Sequence, residues 1–208
     1  MKEELRALAR DVIGFMPEDE GLALYEAGLQ VARVGPLLEI GSYCGKSAVY
    51  LGAAAQELST VLYSIDHHRG SEEQQPGEEF HDPRLVDAET GRIDTLPLFR
   101  KTMARAGLEH NVIAIVGDSP TIARHWSTPL GYIFIDGGHS EEAVQSDYEG
   151  WTPSLLTGGL LAIHDVFEDP ADGGQAPFHV YRRAIEDGYA EVKSVGSLRV
   201  LERLSRAG

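Results

Sequence analysis

An α/β fold, a parallel sheet with helices on both faces and an antiparallel hairpin at its end, is predicted by three features of the sequence. Five short, near-continuous apolar runs, PLLEIG, TVLYSID, NVIAIVGD, GYIFIDGG and GGLLAIHD, have the composition of strands covered on both faces. Stretches with helical spacing alternate with them, and βαβα order is the signature of a parallel sheet. The last part, YRRAIEDGYAEVKSVGSLRVLERL, reads as a helix and then two strands turning at Gly196 and Ser197.

From Leu5 to about Val34 apolar residues recur at helical intervals and Pro17 interrupts them, so residues 1–34 are expected to form a two-helix cap. Residues 35–208 are expected to form the main domain. Within it KSAVYLGAAAQEL, TLPLFRKTMARAGL, SPTIARHW and SEEAVQSDYEGWTPSLL supply the helices. The polar, turn-rich stretch from His67 to about Asp94 is too long for an ordinary strand-to-helix connection, so a lid insertion is expected at about 67–94, anchored by Phe80 and Leu85. ADGGQAP, Ala171 to Pro177, is a second loop of this kind.

With 208 residues the chain fits one domain with a substantial core. A formal net charge of -15 repels polyanions and argues against nucleic acid as substrate. The N-terminus lacks the uninterrupted apolar stretch of a signal peptide, and no run is long enough to span a membrane. The single Cys44 permits no internal disulfide, which fits a cytoplasmic location, and it reads as a packing residue rather than a nucleophile. The amphipathic N-terminal helices would suit a homodimer.

The loop GSYCGKS looks like a phosphate loop and is not one. Gly41 and Gly45 enclose three residues where a phosphate loop needs four, and the glycines of the dinucleotide fingerprint are missing at Tyr43 and Lys46. Lys46, essential in an ATPase, is therefore expected to point into water. In a doubly wound sheet, ligands bind at the carboxyl ends of the strands, which here carry Glu39 and Gly41, Asp66, Asp118, Asp136 and Asp165. Gly41 and Gly45 allow close approach, and amides near Lys46 and Ser47 can hold a carboxylate. Asp66, 21 residues after Gly45, stands at the offset of a ribose-binding acid, and Asp118 with Ser119 could receive an adenine amino group. So many carboxylates suit a cationic ligand without phosphate.

E-x-G-x-x-x-G after the first strand, Asp after the second, G-D-S after the third and I-D-G-G-H after the fourth together resemble the class I S-adenosylmethionine (SAM)-dependent methyltransferases, over about Pro36 to Arg203. The resemblance implies a Rossmann-like sheet and SAM held by Glu39, Gly41, Ser42, Gly45, Ser47, Asp66, Asp118 and Ser119.

Asp136 and Asp165 end neighbouring strands and could share Mg2+ or another divalent cation. Asp136 with His139, followed 28 and 29 residues after Asp136 by His164 and Asp165, is similar to the metal-dependent sugar O-methyltransferases of antibiotic and polysaccharide pathways. The lid sequence adds a narrower likeness to enzymes that methylate mannosides in methylmannose polysaccharide assembly. That family has two successive carboxylates where His164 and Asp165 stand, so the resemblance implies Asp136, Asp165 and His164 as metal ligands, His139 as general base, and a sugar or glycoside as acceptor. Two alternatives stay open: a metal-independent small-molecule N-methyltransferase, and a module that binds SAM without catalysis. Asp147 is expected to face solvent, and the lid histidines His67, His68 and His81 are further candidates for substrate or metal.

Overall fold

A computed structural model describes residues 1–31, 33–78 and 80–205. Pro17 separates two helices, α1 (Glu3–Asp11) and α2 (Glu18–Val31), each opening on acidic residues that complement the positive end of its dipole. There follow β1 (Leu37–Ile40), α3 (Lys46–Glu57), β2 (Leu62–Asp66), α4 (Leu96–Ala106), β3 (Val112–Val116), α5 (Ser119–Ala123) and β4 (Leu130–Ile135). The chain ends in α6 (Glu141–Trp151), β5 (Leu155–Ile163), α7 (Ala176–Glu186), β6 (Tyr189–Val195) and β7 (Leu198–Arg203).

The strands form one seven-stranded sheet in the order β3-β2-β1-β4-β5-β7-β6. β1 to β5 pair in parallel, whereas β7 runs antiparallel to both β5 and β6. The chain winds outward from β1 to β3, then returns to lay β4 on the other side of β1. That switch opens a crevice above the ends of β1 and β4.

Alternation along the strands divides the core. Leu37, Tyr132 and Phe134 face α2 and α3 with Leu24, Tyr50 and Leu51, and Leu38, Ile133 and Ile135 face α6 and α7 with Tyr148, Trp151 and Val180. Each fully buried leucine contributes about 1.5–3 kcal/mol through its removal from water.

Two segments differ from their sequence pattern in instructive ways. SPTIARHW forms only the five-residue α5, because Trp126 leaves the helical path: its indole donates to the Thr128 carbonyl at 2.7 Å, and its ring packs edge-on against Tyr63 and Trp151. Residues 67–94 hold single 3-10 turns at Glu72–Gln74 and Pro83–Leu85 and an antiparallel bridge between Val86 and Ile93. Leu85 and Ile93 are pinned in a small cluster with Val12 and Cys44, so the cysteine is a packing residue. Phe80, by contrast, stays 42% exposed. No helix among the described residues is long and apolar enough to cross a membrane.

Candidate active site

A cavity of about 1000 Å³ occupies the crevice, walled by the loops after β1 to β5, by Ile13–Met16 and by parts of the 67–94 segment. Gly41 fixes its floor. Its φ is +88°, and a Cβ there would lie 2.0 Å from the Asp136 carbonyl oxygen, so only glycine lets the β1 and β4 loops touch. Next to it, the Ser42 hydroxyl is buried (2% exposed), lines the cavity and has no partner.

Asp66 ties this loop to β2: one carboxylate oxygen accepts from the amides of Ser42 (3.0 Å) and Tyr43 (2.8 Å), the other from the His68 amide (2.7 Å). Asp118 caps α5 by accepting from the Thr121 amide. Ser119 donates to Asp147 at 2.6 Å and accepts from the Trp151 indole at 2.8 Å. Asp147 is thus buried rather than solvent-facing, and burial pushes it up to about 6. All four residues line the cavity or its rim.

Glu39 belongs to a layer beneath, joined to the cavity wall by Ser47. Glu39 is fully buried, does not line the cavity, and accepts hydroxyl protons from Ser47 (2.9 Å) and Ser64 (2.6 Å). Burial outweighs these bonds and pushes it up to about 8, from an ordinary value near 4.5. The folded state therefore binds a proton that the unfolded chain has released. Stability on this account is complete below about pH 4.5 and declines as pH rises through about 8. Denaturant titrations between about pH 5 and pH 9 should show that decline in the wild type and a flatter line in Glu39→Gln; parallel lines would contradict the assignment.

The ends of β4 and β5 carry a cluster of charges. His164 is buried, with Nε2 2.6 Å from Glu20 of α2 and Nδ1 3.0 Å from Asp136 and 3.3 Å from Asp165. Burial opposes its charge, but Asp136, Asp165 and Glu20 prevail and push it up to about 12. Both ring nitrogens of His164 are thus engaged by carboxylates. His139 also converges with Asp136 and Asp165, the donor atoms of the three lying within 4.8 Å of one another. His139 Nε2 is 3.1 Å from Asp165, and Nδ1 is 2.9 Å from Glu73 of the 67–94 segment. Asp165 first, with Glu73 and against burial, pushes His139 up to about 9. Burial raises Asp165, but His139 and His164 outweigh it and hold this carboxyl low.

Glu20 and Glu73 escaped the sequence reading. Glu20 looks like an ordinary acid of a first helical turn, and its partners lie far away: besides His164, it accepts from the Ser197 amide at 2.6 Å, across 177 residues. Gly196 makes room, since a Cβ there would sit 2.1 Å from the Glu20 carboxylate. Glu73 is one acid in the run EEQQPGEE, where nothing distinguishes it.

The lid histidines divide. His68 is buried against Thr95 (2.7 Å) and His81 bonds the Gln74 carbonyl (2.9 Å), while His67 lines the cavity. At the cavity mouth Phe15 stacks edge-on against Phe80, centroids 5.4 Å apart, and leans on Tyr43 at 5.9 Å. Lys46 lines the cavity too, instead of projecting into water, and its Nζ donates to the Gly14 carbonyl at 3.3 Å.

A family model described as a methyltransferase domain matches residues 38–166. Among solved structures, the O-methyltransferase TomG from Streptomyces achromogenes, in complex with SAM, is 18% identical over 99% of this chain and 91% of its own, with a TM-score of 0.65. The O-methyltransferase from Bacillus cereus in complex with S-adenosylhomocysteine (SAH) is 14% identical over 97% of this chain and 91% of its own, TM-score 0.63. The SAH-bound methyltransferase PaMTH1 from Podospora anserina is 13% identical over 98% and 87%, TM-score 0.65. At these identities the likeness is one of fold.

Proposed function

This chain belongs to the methyltransferase-domain family, and we propose that it transfers a methyl group from SAM to a hydroxyl of a small-molecule acceptor, a sugar or glycoside, with a divalent cation and His139 as general base. The carrying observation is that Asp136, His139 and Asp165 converge in the same cavity as the Gly41–Ser42 turn. Cofactor and acceptor chemistry are thereby within reach of each other.

The residues present fit SAM. The orphaned Ser42 hydroxyl supplies a buried donor, the Gly41 contact narrows the floor, and Asp66 and Asp118 stand at the ends of β2 and β3 for the nucleoside. SAM would supply an electrophilic methyl to the acceptor oxygen and leave as SAH, with His139 Nε2 placed to take the acceptor's proton. Asp165 and Glu73 hold that ring in place and stabilise it once protonated.

Asp136 and Asp165 would hold the cation, with His164 hydrogen-bonded between them and Glu20, and His139 kept as the base. A divalent cation supplies positive charge that makes the acceptor hydroxyl more acidic. Carboxylates beside the aromatic edges of Phe15 and Phe80 support a polyhydroxylated ring with one apolar face. Segment 67–94, through Glu73 and Phe80, acts as the lid.

Chelation tests the cation. EDTA is expected to abolish turnover while leaving SAH affinity intact, with recovery on adding Mg2+ or Mn2+. Full turnover in EDTA would instead favour the metal-independent reading, including transfer to an amine. One observation speaks for that second reading: His164 already places a cation between Asp136 and Asp165.

A further inference from the structure

Glu20 is a buried acid that the reaction above does not use. In the first turn of α2 it is 3% exposed, while Asp19 faces solvent and Glu18 pairs with Arg6 and Arg10. It does not line the cavity, so whatever it does for the reaction passes through another residue. Burying a carboxylate is costly unless its oxygens are bonded, and both are. Oε2 lies 2.6 Å from His164 Nε2, and Oε1 accepts from the Ser197 amide at 2.6 Å and the Ser197 hydroxyl at 3.1 Å.

Both contacts lead to Asp165. His164 Nδ1 lies 3.0 Å from Asp136 and 3.3 Å from Asp165, so the ring that Glu20 holds from one side braces the two carboxylates on the other. The Ser197 carbonyl accepts from the Val166 amide at 3.0 Å, which fixes the chain one residue past Asp165. Asp165 has need of bracing: its φ is +54°, a left-handed conformation that a non-glycine residue keeps only where its surroundings impose it. From α2, Glu20 thus reaches Asp165 by two routes, one through the imidazole and one through the hairpin turn.

Resting on the reading that Asp136 and Asp165 hold a divalent cation, we infer that Glu20 is a positioning residue of that centre: through His164 and Ser197, the N-terminal cap sets the spacing and orientation of the two carboxylates. Outer groups that orient metal ligands in this way tune metal affinity by about 10–100-fold.

The test is Mn2+ titrated into SAH-saturated protein and read by the electron paramagnetic resonance of the free ion, which needs no turnover. Glu20→Gln keeps the size of the side chain and an acceptor for Ser197 but loses the carboxylate that faces His164. It should weaken Mn2+ about tenfold or more and keep its SAH affinity. Glu18→Gln is the control: it loosens the same helix from Arg6 and Arg10 without reaching His164, and should bind Mn2+ as wild type does. Unchanged Mn2+ affinity in Glu20→Gln would overturn the inference and leave the cation site itself intact. Equal weakening in Glu18→Gln would overturn it too, by showing a loosened cap rather than a lost brace. Should Glu20→Gln not fold, Gly196→Ala reads the same contact, since its Cβ would lie 2.1 Å from the Glu20 carboxylate and push it off His164. Wild-type Mn2+ affinity there would again overturn the inference. Wild type that binds SAH but no Mn2+ would remove the cation reading, and this inference with it.

Discussion

A His139→Ala enzyme is expected to bind SAH as wild type does and to turn over about 10²–10⁴-fold more slowly. An alcohol holds its proton far more tightly than water at neutral pH can remove it, so transfer needs an acceptor at a fixed place. His139 has that fixity: Glu73 at 2.9 Å and Asp165 at 3.1 Å clamp the two ring nitrogens, and the next residue, Ser140, caps α6. The same clamp sets the pH response. A ring pushed up to about 9 keeps its proton at neutral pH and accepts one only as pH approaches that value. Wild-type turnover should therefore climb with pH toward about 9, and the alanine variant should lose that climb. An alanine variant with unchanged turnover would remove the base assignment without touching cofactor binding.

Gly41→Ala is expected to lower the melting temperature by about 5–20 °C. A left-handed conformation costs a non-glycine residue about 1–3 kcal/mol. Overpacking adds about 1–3 kcal/mol more, and each kcal/mol is worth about 2–4 °C in a chain of this size. The contact has nowhere to yield, because the atoms met are backbone: the Asp136 oxygen at 2.0 Å, its carbon at 2.6 Å and Gly137 Cα at 2.9 Å. Since the strain falls on Asp136, activity should fall beyond what the fraction unfolded accounts for. A melting temperature equal to wild type would mean that the two loops do not touch.

Much of the fold was legible because it is written locally. β1 to β5 are continuous apolar runs, Pro17 can only break a helix, and Gly196 with Ser197 can only turn one strand back on the next. The acidic strand ends were legible for the same reason, since chain order in a parallel sheet brings every carboxyl end to one side. What escaped is whatever depends on an unseen partner. Asp147 reads as a solvent-facing helical acid until Ser119 is known to lie under it. Nothing in the sequence pairs His164 with Glu20, or the Ser47 hydroxyl with Glu39. α5 stopped short because Trp126 found a better place to pack, a tertiary preference that overrides helical spacing.

The seam between Glu20 and Ser197 also bears on the order in which the protein comes into being. Glu20 leaves the ribosome 177 residues ahead of the serine that binds it. Helices and inner strands can collapse together during synthesis, but the buried carboxylate and the imidazolium above it gain their last partner only when the final hairpin emerges. The centre of charge is finished last, so a chain still being translated has most of its core and not yet its chemistry.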